Sequence, residues 1–146
     1  LYTHINFPIL RYSDVLLMYA EAANEVNKAP TKEAYDAVVE VRSRAGVATR
    51  DFGEYDYGTF TQLVRNERAR ELCFESLRKY DLIRWGIFVD TMNGYSEWAD
   101  DARFNTSSLY SRYMKIGAAV QPKHIVLPIP SIELGVNDNL RQNPLW

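Results

Sequence analysis

RNERARELCFESLRKYDLIRWG, residues 65–86, holds ten charged side chains among its 22 residues. Bulky apolar side chains, among them Leu72, Leu82 and Trp85, lie between these charges. A fully solvated helix does not need so many apolar residues, and a plain core helix does not tolerate so many charges. The pattern therefore predicts a buried helical segment in which carboxylates and guanidinium groups satisfy one another.

Glu67 and Glu71 are the best-placed pair of carboxylates in this stretch. They are four residues apart, and a helical wheel puts them on the same side as Phe60, Val64 and Phe74. As a functional pair they would be the acid and the base of a glycosidase, but the apolar stripe of a single helix leaves little room for a sugar between them. We predict instead a structural ion network, which arginines complete. The candidate arginines are Arg11, Arg42, Arg78 and Arg84.

The first predicted helix begins at Ser13, a serine suited to the N-cap, and runs to about Val26. Apolar residues recur along it at helical spacing and predict a buried stripe. The stripe consists of Val15, Tyr19, Ala22 and Val26. It is widened beyond half the circumference by Leu16, Ala20 and Ala23. We therefore expect this helix to be covered on more than one side.

The second predicted helix runs from about Lys32 to Ala45. Thr31 is a possible cap before it, and Gly46 stands where a left-handed residue ends a helix. Its predicted buried stripe is Ala34, Val38, Val41 and Ala45. A helix, a short turn and a second helix of this size resemble one tetratricopeptide-type unit.

The third predicted helix opens at Thr59, with Gln62 in a capping-box pattern, and carries the charged stretch. A short fourth helix follows over about 80–88. The periodicity then fades, and residues 124–129 are expected to form one brief strand. Four prolines extend the tail around it, and the Asn-rich residues 137–143 suit side-chain-to-backbone hydrogen bonds that hold this tail.

These elements predict a mostly α fold within one domain. Tetratricopeptide-like helix pairs occupy about residues 8–88, an irregular loop insertion about 89–121, and a short extended C-terminal segment 122–146. A length of 146 residues suits one domain with a useful core.

Composition excludes several classes of function. A formal net charge of −2 gives no reason to expect a nucleic-acid partner. The single cysteine, Cys73, forms no internal disulfide and is predicted to be a small buried side chain. His4 and His124 match no metal-ligand spacing, so we expect neither a metal nor a cofactor. No apolar run approaches the roughly 18–20 residues that cross a bilayer, and the absence of an initiator Met leads us to expect the interior of a longer protein.

Four blocks of sequence carry a family resemblance. They are PILRYSDVLLMYAEAANEV (8–26), AYDAVVEVRSRAG (34–46), ERARELCFESLRKYDLIRWG (67–86) and HIVLPIPSIELGVNDNLRQNPLW (124–146). In this order they resemble the C-terminal portion of the SusD/RagB family of outer-membrane nutrient-binding lipoproteins. Residues 89–121 are unmatched. The family usually has glycine where Ser76 stands, and a QNPGY-like ending where this chain has Leu145.

The resemblance implies a helical scaffold at the cell surface, held to the outer membrane by a lipid anchor on an N-terminal part that this chain lacks. It implies non-catalytic capture of nutrients, most of all oligosaccharides or else peptides. It also implies delivery to a SusC-like, TonB-dependent transporter. The residues leave a second hypothesis open, a helical-repeat scaffold for protein–protein interaction.

The unmatched residues 89–121 are rich in aromatic rings, which cover the apolar faces of sugars while polar neighbours bind the hydroxyls. Trp98 is the best candidate for an exposed platform, because Glu97 and Asp100 flank it without apolar neighbours. The other candidates for ligand contact are Tyr95, Arg103, Tyr110 and Tyr113. The opposing hypothesis is that these rings pack the segment onto the helices.

Overall fold

Helices supply the regular secondary structure of the described residues. The computed structural model describes residues 9–98, 112, 115–117 and 119–146, and none of these residues lies in a strand. The α-helices are α1 (Tyr12–Asn27), α2 (Lys32–Arg44), α3 (Tyr57–Glu71), α4 (Arg78–Arg84), α5 (Phe88–Gly94) and α6 (Ser131–Val136). Short 3₁₀ turns are formed by Phe52–Glu54, Tyr95–Trp98 and Pro122–Ile125. The predicted mostly α fold is confirmed.

The chain divides into two compact units, one up to Arg78 and one from Lys79 onward. In the first unit, α1 and α2 are joined by the short turn 28–31 and pack together as a helix pair, and α3 packs against both. Their shared core consists of Leu17, Ala20, Ala34, Val38, Val41, Phe60 and Val64. Burial of each large side chain in this set contributes about 1.5–3 kcal/mol before entropy is counted.

The α2 helix begins where the sequence predicts. The Thr31 hydroxyl accepts a hydrogen bond of 3.2 Å from the Ala34 N–H, and Gly46 follows the helix with a φ of +71°. The predicted stripe is buried except at Ala45, for which the prediction is wrong. Ala45 is exposed because it caps the helix and does not lie within its last buried turn.

The N-cap of α1 lies two residues before the predicted one, Ser13. Arg11 is the N-cap, with an extended backbone, and its carbonyl accepts the N–H groups of Asp14 and Val15. Ser13 is therefore not the cap, because it already lies inside the first turn.

The buried face of α1 also differs from the predicted stripe. It consists of Asp14, Leu17, Ala20 and Asn24, while Val15, Tyr19 and Val26 are exposed. The polar members are buried because α3 supplies their hydrogen bonds. Arg68 donates to Asp14 at 2.7 Å, and Asn24 donates to the Tyr57 carbonyl at 3.1 Å. A pattern that counts apolar residues alone misses such a face.

The α3 helix begins before the predicted cap. The Asp56 carboxylate accepts the Thr59 N–H at 2.7 Å, and the Thr59 hydroxyl accepts the Asp56 N–H at 2.9 Å. Thr59 is thus the third residue of a capping box, and the expected Thr59–Gln62 box is wrong because Asp56 offers the stronger, charged acceptor.

The end of α3 also departs from the expected continuous helix. The helix stops at Glu71, and the turn that follows places Phe74 and Ser76 at φ of +66° and +63°. This left-handed turn points Phe74 outward, with 99% of the residue exposed, and leaves Cys73 exposed as well. Both had been predicted to be buried on a continuing helix.

In the second unit, the predicted fourth helix is two helices. Gly86, at a φ of +71°, ends α4, and α5 starts two residues later. Within the predicted loop 89–121, the turn Tyr95–Trp98 and residues 115–117 are helical. The predicted strand 124–129 is wrong, because none of these residues is in a strand and Pro122–Ile125 form a 3₁₀ turn. The Gln121 N–H donates to His124 Nδ1 at 2.9 Å, which favours the 3₁₀ turn.

The C-terminal segment is held by side-chain-to-backbone hydrogen bonds, as the Asn-rich sequence predicts. Gln142 forms two bonds of 2.9 Å with the backbone of Ile129, and Asn143 donates to the Leu127 carbonyl at 2.7 Å. Leu145 adopts a φ of +69°, so the tight turn expected of glycine persists with leucine. The helix α6 interrupts the tail that the sequence predicts to be extended.

Candidate functional site

Glu67 is engaged by an arginine from the neighbouring helix. Arg42 donates to its carboxylate at 2.7 Å, and the two side chains are 11% and 6% exposed. The remaining donors of Arg42 bond to the Thr49 hydroxyl at 2.8 Å and the Ala48 carbonyl at 2.6 Å. Arg42 therefore ties the loop after α2 to the middle of α3.

Glu71 lies between two guanidinium groups. Arg11 donates to it at 2.9 Å and Arg44 at 2.6 Å. Burial alone would raise the pKa of Glu71, but the hydrogen bonds from Arg11 and Arg44 and the charge of Arg44 outweigh burial and hold this pKa below its usual value. Glu71 is therefore a carboxylate at neutral pH.

Arg11 joins the start of α1 to the end of α3. Its guanidinium bonds to both carboxylate oxygens of Glu75, at 3.0 and 2.6 Å, and also reaches the Glu71 carbonyl at 2.8 Å. The hydrogen bonds to Glu75 and then to Glu71 raise the pKa of Arg11 above its usual value. A planar guanidinium fork is suited to such bidentate contact.

The other predicted arginines have different partners. Arg84 lies 2.9 Å from Asp81 in the same helix, and Arg78 donates to the Arg65 carbonyl at 3.2 Å. The structure thus brings Arg11 and Arg42, from the predicted set, to the two glutamates.

The buried pair Asp14–Arg68 is a structural ion pair between α1 and α3 that the sequence reasoning missed. The Asp14 carboxylate and the Arg68 guanidinium are both almost fully buried and lie 2.7 Å apart. The signal was available, because Asp14 lies three and six residues before Leu17 and Ala20, on the same helical face.

This arrangement locks helices together and does not resemble a hydrolytic centre. A glycosidase needs two carboxyl groups facing each other across a space that holds the sugar and, in inverting enzymes, a water. Here Glu67 and Glu71 each hold guanidinium nitrogens within 2.9 Å and are nearly closed to solvent. Their chemistry is charge pairing.

Two surface cavities of the first unit differ in character. One, of about 240 Å³, lies between α1 and α2 and is mainly apolar, with Leu16 and Val41 in its wall. The other, of about 340 Å³, lies where the loop after α2 meets α3. It is lined by Arg42, Ala48, Arg50, Tyr55, Thr59, Gln62, Leu63, Asn66 and Arg70. No sequence pattern had singled out this second, polar cavity.

The predicted sugar-contacting residues are described only in part. Tyr95 opens the 3₁₀ turn after α5 and is 37% exposed, and Trp98 ends that turn. The remaining candidates, Arg103, Tyr110 and Tyr113, lie outside the described residues. Contact between these side chains and a ligand stays a prediction.

The described residues offer neither a cluster of metal ligands nor a membrane-spanning helix. No group of three or more His, Cys, Asp or Glu side chains is arranged there to hold a metal ion. Among the same residues, no helix has the length and apolar character needed to span a membrane.

Comparison with known proteins gives one consistent family. A model of the SusD family matches residues 1–146. The SusD-like protein P25 of Formosa agariphila is 35% identical over 138 residues, which cover 92% of this chain and 23% of that protein. The SusD-like protein P2 of the same organism is 31% identical over 146 residues, covering 94% and 25%.

A solved structure agrees with these relatives. The crystal structure of a SusD homolog from Bacteroides thetaiotaomicron superposes with a TM-score of 0.73 at 35% identity. The match covers 94% of this chain and 26% of that one. The chain therefore spans about a quarter of the length of the proteins it matches.

Proposed function

The chain belongs to the SusD family, and from this premise we propose that it captures nutrients, most of all oligosaccharides, without chemical conversion. The protein would hold them at the surface of the outer membrane and deliver them to a SusC-like, TonB-dependent transporter. A lipid anchor elsewhere in the protein would keep it at the membrane.

The observation that carries the proposal is the family match along the whole chain. Membership supports a nutrient- or glycan-binding role, because SusD-like proteins are known as binding proteins rather than enzymes. The choice of oligosaccharide over peptide rests on Tyr95 and the other aromatic residues of 89–121, whose rings suit the apolar faces of sugars.

The geometry around α3 agrees with binding without catalysis. Its acidic side chains are occupied by arginines, so the most charged stretch of the chain is used to hold helices in place. Residues that contact a ligand would then lie on loops and cavity walls, which a rigid helical scaffold positions.

Affinity electrophoresis of the full-length protein against a panel of polysaccharides tests this proposal. We expect retardation by at least one polysaccharide, with no release of reducing ends during the run. Retardation by none of them would move the ligand class to peptides or another nutrient, and release of sugar ends would contradict the non-catalytic role.

An exposed apolar stripe on α1 favours a second candidate function, a helical-repeat scaffold that binds a protein. Tyr12, Val15, Tyr19 and Val26 are exposed along this stripe, and exposed apolar surfaces of this kind mark interaction sites. The discriminating measurement is tryptophan fluorescence with added sugar, compared between the native protein and Trp98→Phe. A sugar response that depends on Trp98 supports capture of glycans and counts against the scaffold.

A further inference from the structure

The polar cavity of the first unit is lined by side chains on three sides. The end of α2 contributes Arg42, the following loop contributes Arg50 and Tyr55, and α3 contributes Asn66 and Arg70. Its volume of about 340 Å³ is at the lower end of the range for small-molecule sites. The cavity is therefore of a size for one sugar unit rather than a long chain.

The charge of this wall is positive. Three guanidinium groups line the cavity, and among the described residues no Asp or Glu does. Glu67 lies behind the wall and is 6% exposed, and its charge is matched by Arg42 at 2.7 Å. With one carboxylate behind three guanidinium groups, the wall keeps a net positive charge, although Arg70 also lies 3.6 Å from Glu67. Such a wall favours an anionic ligand over a neutral one.

Arg50 is positioned by an aromatic ring while its donors stay available. The centre of its guanidinium lies 4.9 Å above the Tyr55 ring, and that ring packs edge-on against Phe60 at 5.9 Å. Stacking uses the face of the guanidinium, whereas its N–H groups point outward in its plane. Among the described residues, none accepts a hydrogen bond from these N–H groups.

Arg70 and Asn66 present further donors on the α3 side. Arg70 is 65% exposed and approaches Glu67 no closer than 3.6 Å, which is beyond an ordinary hydrogen bond. The Asn66 oxygen accepts from Gln62 at 2.9 Å, which orients the amide and leaves its NH₂ group as a donor. The cavity therefore offers two guanidinium groups and an amide donor, and it has one aromatic wall.

We infer that this cavity binds an anionic sugar unit, one that carries a carboxylate or a sulfate ester. This inference rests on the proposed function, the capture of glycans, and narrows it to acidic glycans. Arg50 and Arg70 would bind the anionic oxygens through paired N–H donors, since both carboxylate and sulfate match the guanidinium fork. Asn66 would donate to a ring hydroxyl.

Pairs of polymers with and without the anionic group distinguish binding of that group from binding of the sugar ring. Polygalacturonate is compared with its methyl ester, in which the carboxylates are capped, and dextran sulfate is compared with dextran. Affinity electrophoresis of the full-length protein should show retardation by at least one anionic member and weaker retardation by its neutral partner. The member that binds identifies the anionic group as a carboxylate or a sulfate. Raising the salt concentration should weaken this binding, because exposed charges are screened.

Two variants test the residues. Arg50→Gln combined with Arg70→Gln should weaken binding of the anionic polymer about tenfold or more, since a hydrogen bond to a charged group contributes about 1.5–3 kcal/mol. Arg141→Gln removes another exposed arginine, which lies outside the cavity, and should leave binding unchanged. Both arginines of the double variant are exposed, so its melting temperature should match that of the native protein.

The outcomes separate this inference from the function on which it rests. If the native protein binds neutral polysaccharides as well as charged ones, and the double variant retains this binding, the anionic site is overturned. Glycan capture then still stands. Binding of no polysaccharide, charged or neutral, overturns both. Binding of the anionic polymer that the double variant loses and Arg141→Gln retains establishes the site.

Discussion

The guanidinium of Arg42 and the carboxylate of Glu67 form a hydrogen-bonded ion pair, 2.7 Å apart, between α2 and α3. Both side chains are almost closed to water. A charge in such a place is costly without its partner, because the desolvation penalty then remains while the attraction is lost. The pair therefore stabilises the contact between the two helices only while both members are present. Loss of one member should destabilise the fold more than replacement of both by apolar residues.

Replacement of Glu67 by glutamine should reduce the free energy of unfolding by about 3–5 kcal/mol, because Arg42 stays buried and charged. Urea unfolding followed by circular dichroism measures this loss. Ligand affinity per folded molecule should not change. The matched control is Asp36→Asn, which breaks the exposed pair with Lys32 and should cost less than about 1 kcal/mol. A Glu67→Gln protein with native stability would contradict the structural role.

Acid should destabilise the fold through Glu71. The pKa of this carboxylate is below its usual value of 4.5 in the folded state, so folding is favoured above the unfolded pKa. This stability is fully present above about pH 4.5 and is lost as the pH falls through the lower, folded pKa. Unfolding free energies measured from pH 6 downward should therefore fall less steeply in Glu71→Gln than in the native protein. Equal slopes would show that Glu71 does not contribute.

Glycine at position 76 should stabilise the protein by about 1 kcal/mol. Ser76 has a φ of +63°, a region in which a side chain costs about 1–2 kcal/mol and glycine does not, although glycine loses more entropy on folding. Thermal unfolding of Ser76→Gly measures the gain. Ser43→Gly is the control, because Ser43 lies within α2 and glycine there should destabilise by a few tenths to about 1 kcal/mol. Destabilisation by both substitutions would contradict the strained turn.

Removal of the Tyr95 ring should weaken glycan binding about twofold to tenfold, the range that one aromatic contact of about 0.5–1.5 kcal/mol gives. Affinity electrophoresis of Tyr95→Ala against a polysaccharide that retards the native protein measures this. Tyr80→Ala is the control, since Tyr80 is also an exposed tyrosine of the same unit. A loss in the Tyr80 variant that equals the loss in the Tyr95 variant would show a general effect on folding.

The helix α2 could be predicted from sequence because its signals are local. Thr31 caps it, Gly46 terminates it, and its buried residues are apolar. The buried face of α1 could not be predicted in the same way. Asp14 and Asn24 are buried there only because Arg68 and Tyr57, 54 and 33 residues away, supply hydrogen bonds.

The ion pairs, too, could be predicted from the sequence only in part. The sequence indicates that the glutamates of α3 need arginines, and Arg11 and Arg42 are at those positions. It does not indicate Arg44, which is exposed, or Glu75, which is placed by the left-handed turn. The cavity that holds Arg50 and Arg70 depends on the path of the loop after α2, and no periodic pattern encodes that path.

The hydrogen bonds from Arg11 to Glu71 and Glu75 have a consequence for natural variation. Arg11 binds Glu71 and Glu75, which are 60 and 64 residues away in the chain. A relative that lacks the arginine would have two neighbouring carboxylates with less positive charge to offset them. We therefore expect such a relative to carry a neutral residue at position 71 or 75. Positions 11, 71 and 75 should therefore change together as homologous sequences diverge.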